Sequence, residues 1–389
     1  MKAAAADALW SRHHAAWRDT AQVASQWQDA SATDVETLRH RATGEFWELL
    51  AKAKITLLVT REYEHLVMAL GATNRGPDVS FMALPHPSGL AVDRQRGVVH
   101  VASTRNPNQV IDLEPVRDTL PRRDVTSNPS ADRPLVPVRS RFYPGCLYMH
   151  DLAIVGGQLY ANAVGQNAIV RLDANGEHQR VWWPKCIEKA KKPDFSRNYL
   201  QLNSIAAGKS IRESYFSASA EQMSSRRPGM RNFPVDGRGV IFSGRTRDAF
   251  ARGFTRPHSA RVHQDRLWVD NSGYGEFGYC DDGRFHPVAK LPGWTRGLCF
   301  QDNIAFVGTS RVIPRFRNYA PGLNVDDSVC GIHAIDMKSG RTLGRLTWPA
   351  GNQIFAIDWI DRAVSTGFPF AARARRTNYE KALFYCYVT

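Results

Sequence analysis

Several signatures that would settle the chemistry of this chain are missing. None of the six cysteines, Cys146, Cys186, Cys280, Cys299, Cys330 and Cys386, stands in a C-x-x-C pair. The spacing of structural zinc sites and dithiol redox motifs is therefore absent, and free, mostly buried thiols in a reducing cytoplasm account for them. No apolar run approaches the ~18 residues of a membrane-spanning helix. The Ala-rich start, MKAAAADALWSRHHAAW, is broken by Asp7, Arg12 and two histidines, so no signal peptide is expected either. Neither G-x-S-x-G nor H-E-x-x-H occurs, which leaves the nucleophile-elbow and zinc-protease readings without support. The glycine-rich Ser272-Gly273-Tyr274-Gly275-Glu276 falls short of the dinucleotide fingerprint and does not join a strand to a helix. It reads as a hairpin turn, and no nucleotide cofactor is expected.

Negative charge is also in short supply. Fifty-one Lys+Arg stand against 37 Asp+Glu, a net charge of +14, which favours an anionic partner. The basic residues gather at Lys185 to Lys192, Arg226 to Arg231, Arg245 to Arg256 and Arg373 to Arg376. These stretches read as loops without the regular aromatic interleaving of a single-strand stacking platform, so nucleic acid is not the expected partner. Hydrophobic residues at 43% and charged residues at 23% are ordinary for a soluble chain with a large core.

What is present is a repeat. Met149-His150-Asp151-Leu152-Ala153 and Arg256-Pro257-His258-Ser259-Ala260 each lead into a short apolar strand, a polar hairpin and a second strand. The shape recurs at Ser88-Gly89-Leu90-Ala91, Asn203-Ser204-Ile205-Ala206 and Arg296-Gly297-Leu298-Cys299, and more loosely at Phe355-Ala356-Ile357. Spacings of roughly 40 to 60 residues suit four-stranded propeller blades, the longer ones carrying loop insertions. Six copies predict an all-β fold, a six-bladed β-propeller. Ser88, His150, Asn203, His258, Arg296 and Phe355, or nearby Gln353, then ring a central channel.

The remaining segments fall around that frame. Residues 1 to about 30 read as a helix with Trp10 and Trp17 on one face. A second helix is predicted from Asp34 to about Lys52, capped by Ser31 or Thr33, with Leu38, Ala42, Phe46, Leu49 and Leu50 as its apolar stripe. The N-terminal helical segment is thus set at 1–53 and the propeller at 54–389. Irregular insertions are expected at Val116 to Phe142 and Ala220 to Asn232, and turns at 173–176, 281–283 and 338–340. The apolar ends Ile55 to Thr60 and Ala382 to Val388 are expected to pair and close the ring, which removes the unpaired sheet edge.

The succession M-H-D-L-A, L-N-S-I-A, R-P-H-S-A-R, L-W-V-D-N-S-G-Y-G-E, L-P-G-W-T-R-G-L and C-G-I-H-A-I-D resembles a bacterial family of conserved hypothetical proteins. That family is described as a domain of unknown function with a β-propeller-like fold. The resemblance spans roughly Glu45 to Asp361 and implies the fold; it implies no reaction. Ser204 and Ala260 stand where the family pattern has glycine and proline.

A single histidine in a β-rich chain is usually a hydrogen-bonded structural residue, but His150 and His258 occupy matching repeat positions. They are candidate ligands for zinc, copper or iron, with Asn203, His86 or an insertion loop supplying a third ligand and Asp151 accepting from an imidazole N–H. Without a metal, the same histidines serve as general acid and base while Arg296 holds an anionic group of a small molecule or peptide. Asn203, Tyr274 and Gln353 are candidate substrate contacts. Calcium fits less well, because the ring offers few carboxylates. Cys146 and Cys299 lie near ring positions and read as buried small apolar residues rather than nucleophiles. Hydrolysis, cyclisation and oxidation are all compatible. The alternative of another class is a non-catalytic propeller that binds a partner protein or glycan through its basic face.

Overall fold

The computed structural model describes residues 33–104, 108–120, 133–371 and 387–389. Six antiparallel sheets of four or five strands form the six blades of a β-propeller. Their innermost strands are Pro87–Asp93, Met149–Val155, Leu202–Ala206, Pro257–His263, Trp294–Gln301 and Ala356–Asp361, taken here as blades 1 to 6. Each innermost strand touches the next, and the sixth touches the first. Blade faces pack on one another, so inner strands are apolar on both sides: Leu66–Thr73 is buried along all but its last residue. The outermost strand Arg284–Lys290 has no fully buried residue.

Blade 6 closes the ring, though not with the partner expected. Ile55–Arg61 pairs with Ala356–Asp361, from Ile55 opposite Asp361 to Thr60 opposite Ala356. The loosest of the repeat copies is itself the closing strand, so the ring needs no further segment. Tyr387–Val388 pairs instead with Asp118–Thr119, and residues 382–386 lie outside the described residues. So do the Trp10/Trp17 helix and Arg373 to Arg376.

A circuit of side chains stitches the blades together. Thr60 donates to the Ser88 carbonyl, Ser88 to Met149, Asn162 to Leu202, Asn203 to Pro257, Ser272 to Thr295, and Ser310 to Ile354, at 2.5 to 3.1 Å. Each bond crosses from one blade to the next, and the six complete the circle. Buried bonds of this kind stabilise by about 1 kcal/mol each and cost more when one partner is removed.

Two expectations need correction. The single helix over Asp34–Lys52 is instead Val35–Leu38, a strand Arg41–Gly44 and a helix Phe46–Ala53. Asp34 caps the first by accepting from the Glu36 N–H, and the strand adds a fifth member to blade 5 beside Thr342–Thr347. Gly44, at φ 67°, ends that strand against the Leu343 carbonyl, where a side chain would collide. Leu38, Phe46 and Leu50 are buried as expected, while Ala42 sits on the edge strand. The stretch Val116 to Phe142 is also less irregular than its prolines suggested, since Leu135–Tyr143 is the outer strand of blade 1. Pro137 is tolerated there because an outermost strand has a free edge.

Candidate active site at the upper mouth of the channel

All six innermost strands begin at the same end, called here the upper mouth. Five of them carry an extra residue just after that start, between Pro87 and Leu90, Met149 and Leu152, Leu202 and Ser204, His258 and Arg261, and Thr295 and Leu298. Such bulges re-aim side chains, here at the ring positions. The connection from second to third strand returns to this same end. The long loops 219–238 of blade 3 and 311–330 of blade 5 therefore stand over the upper mouth, as does the 183–201 link between blades 2 and 3.

His258 is the best-defined chemical group there. It is 2% exposed, and its Nδ1 lies 2.8 Å from the Arg256 carbonyl and 3.0 Å from Ser272 Oγ. A carbonyl only accepts, so the neutral ring keeps its proton on Nδ1 and Nε2 is the basic atom. Burial holds its pKa well below the ordinary 6.5, and Arg296, Arg256 and His150 push it further down. The imidazole is therefore uncharged at neutral pH. His150 is half-buried, with its ring edge-on to Phe355 at 5.5 Å.

Arg296 covers the other face of the same mouth, its guanidinium carbon 3.3 Å from the Phe355 ring centroid. Burial lowers its pKa to about 10, opposed by Glu62 and Tyr63. The guanidinium is thus buried with the Glu62 carboxylate near enough to favour its charged form. Trp294 packs edge-on against His258 at 5.4 Å, and Phe316 of the blade 5 loop packs on Trp294 at 5.0 Å. Glu62, Tyr63 and Phe316 escaped the sequence reading. Glu62 and Tyr63 come from Arg61-Glu62-Tyr63-Glu64-His65, a polar island between the apolar runs ITLLVT and LVMALG; that interruption was the available signal. Glu62 is buried and accepts a hydrogen bond from Thr104 Oγ1.

The structure brings His150, His258, Arg296 and Phe355 together, with Asn203 tied to the Pro257 carbonyl at 2.9 Å beside His258. Gln353 is buried on the lead into blade 6, its Oε1 without a partner among the described residues. Other candidates fall elsewhere. Ser88 is a link in the inter-blade circuit. Asp151 accepts from the Ile205 N–H at 2.9 Å and from both terminal nitrogens of Arg261, so it is bound up in the structure rather than supporting a ring histidine. Ser204 and Ser259, one residue after their own ring positions, accept in the same way from the Ala260 and Gly297 N–H groups. At the matching Gly89 a Cβ would lie 2.6 Å from the Asp151 backbone, so only glycine fits. His86 packs against His65 at 4.4 Å. The Tyr274 hydroxyl is taken up by Asp236 of the 219–238 loop at 3.1 Å. Cys299 is core, its thiol pushed well up by burial, whereas Cys146 is exposed rather than buried.

The donor set is poor in the ligands a divalent metal takes. No three His, Cys, Asp or Glu side chains converge on a metal position among the described residues. Two imidazoles and one amide oxygen bring no negative charge, while Arg296 and Arg256 impose a positive potential on His258. Elsewhere the basic stretches are partly neutralised, Lys185 by Asp248, Arg247 by Glu188 and Arg252 by Glu221. No helix among the described residues is long and apolar enough to cross a membrane.

Beneath the site, the Asp151–Arg261 pair separates the upper mouth from a cavity of about 570 Å³ at the lower mouth. All six innermost strands line that cavity, with Arg94 lying over Trp359 at its rim.

Fold and ring together define a six-bladed β-propeller with a polar, cationic channel mouth. The chain belongs to the family described as Domain of unknown function (DUF4915), which matches residues 44–367. No curated protein matches it in sequence. Among solved structures it is similar to a chain in the nidogen/laminin complex, at 8% identity and TM-score 0.51 over 78% of this chain and 98% of that one. It is also similar to a protein of unknown function from Bacteroides caccae, at 11% identity and TM-score 0.51 over 79% and 99%. Likeness at these identities is one of fold alone.

Proposed function

We propose that this protein is an enzyme that moves a proton on an anionic small molecule held at the upper mouth, with His258 as general base and Arg296 as anion clamp. The observation that carries this reading is the state of His258: its Nδ1 proton is anchored on the Arg256 carbonyl, so Nε2 is left as the base beside a dehydrated guanidinium. A neutral imidazole of this kind accepts a proton as the reacting oxygen or carbon gives it up. His150, packed against the Phe355 ring, is the partner acid that returns a proton. Asn203 and Gln353 orient the substrate, and the long loops of blades 3 and 5 wall the cleft. Hydrolysis and cyclisation both use these parts.

The test is a turnover screen of pooled small organic acids, esters and lactones, read by mass spectrometry, with wild-type protein beside His258→Ala and Arg296→Gln. Conversion by the wild type, lost in both variants at unchanged melting temperature, is the expected result. Conversion that survives His258→Ala would overturn the assignment.

A further inference from the structure

The hydrogen-bonding atoms left over at the upper mouth describe the ligand that would satisfy them. Asn203 Nδ2 donates to Ser219 Oγ at 3.0 Å and to the Pro257 carbonyl at 2.9 Å. Because that carbonyl only accepts, the amide cannot be turned round, and Oδ1 is a buried acceptor without a partner among the described residues. One residue beyond Pro257 stands His258, whose Nε2 is likewise an acceptor. Blades 3 and 4 therefore each present an acceptor.

Blade 5 presents the complement. Arg296 Nη2 and Trp294 Nε1 are buried donors, also without partners among the described residues. Trp294 lies edge-on to His258, and Arg296 lies over Phe355. Donors and acceptors are thus carried by neighbouring blades, the acceptors by blades 3 and 4 and the donors by blade 5. Buried polar groups are nearly always paired, and leaving one unmet is costly, so a ligand that matches all four is selected strongly. A plain carboxylate serves only the donors. A neutral polyol can both donate and accept but brings no charge to Arg296, and an ammonium group would face the Arg296 and Arg256 guanidinium groups.

We infer that the substrate is a hydroxylated organic acid, with its anionic group on Arg296 and Trp294 and its hydroxyls donating to His258 Nε2 and Asn203 Oδ1. This rests on the proposed role of Arg296 as an anion clamp and adds the hydroxyls to it. It also assigns Asn203 and Trp294 as specificity residues.

Calorimetric titration with propanoate, lactate, glycerate and glycerol tests the inference, because the three acids share a carbon skeleton and differ by one hydroxyl at each step. Affinity is expected to rise from propanoate through lactate to glycerate by about tenfold or more overall, since a site built around a hydroxyl rejects the analogue lacking it. His258→Ala should shrink that ratio, and Arg296→Gln should weaken all three acids alike. Asn203→Leu should act as His258→Ala does; if loss of its bond to Pro257 unfolds the protein, His258→Ala still reads the hydroxyl term. Equal binding of propanoate and glycerate, both lost in Arg296→Gln, would overturn the hydroxyl inference and leave the anion clamp standing. Absence of any Arg296-dependent anion binding would sink both, as would glycerol binding as tightly as glycerate.

Discussion

Asp151 and Arg261 hold each other across the channel, blade 2 to blade 4, through bonds of 2.7 and 3.0 Å between both carboxylate oxygens and both terminal guanidinium nitrogens. The Ile205 N–H of the intervening blade completes the carboxylate. Three blades therefore meet on one side chain. Removing one member of such a buried pair strands the other charge and costs about 3–5 kcal/mol. Asp151→Ala is expected to lower stability on that scale in urea unfolding, and the double variant with Arg261→Met to recover most of the loss. A fully stable Asp151→Ala protein that had lost only activity would return Asp151 to the catalytic set.

His258 should set the acid limb of the pH–rate profile. Its pKa lies well below 6.5, so activity should persist as the medium is acidified past the ordinary histidine range. Arg296 contributes to that depression, and Arg296→Gln should move the limb upward as well as weaken substrate. Loss of rate in His258→Ala is expected at about 10²–10⁴-fold. An acid limb unchanged by Arg296→Gln would separate the two residues.

How much of this was legible in the chain depends on what each residue does locally. The ring was readable because each blade repeats one short motif at its innermost strand, and backbone regularity makes sequence equivalence a spatial equivalence. Closure is harder to read because one strand, Ala356–Asp361, both starts a blade and closes the ring on Ile55–Arg61, so the apolar 382–388 segment resembles a closing strand although none is needed. Asp151 resembles a companion of His150 because it follows it in sequence, but within the bulge it turns to the Ile205 N–H of the next blade and to Arg261, 110 positions away. Glu62, Tyr63 and Phe316 reach the site from strand connections, which carry no repeat.

Metal content gives a separate check on the charge argument. Two guanidiniums around His258 disfavour a divalent ion, so protein purified without chelator is expected to hold less than one equivalent of zinc, copper or iron. Its melting temperature should not fall on chelation. Stoichiometric metal in the wild type that disappears from the His150→Ala/His258→Ala variant would instead make these residues ligands, with Asn203 Oδ1 the nearest third donor.

Stability should fall on mild acidification, and His333 supplies a measurable share. It is buried in blade 5 beside Thr309 Oγ1 at 3.1 Å, and burial, with Arg345 nearby, lowers its pKa from 6.5 to about 4. The unfolded chain binds a proton there below pH 6.5, whereas the folded protein does not until about pH 4. The contribution of His333 is therefore complete above 6.5 and is lost as pH falls through that window. The difference corresponds to about 3 kcal/mol, and His258, depressed in the same sense, adds to it. Urea unfolding of wild type and His333→Leu between pH 7 and 4 should show a shallower loss in the variant, whatever its stability at neutral pH. Parallel curves would mean that His333 takes up its proton alike in the folded and unfolded states, against the lowering by burial.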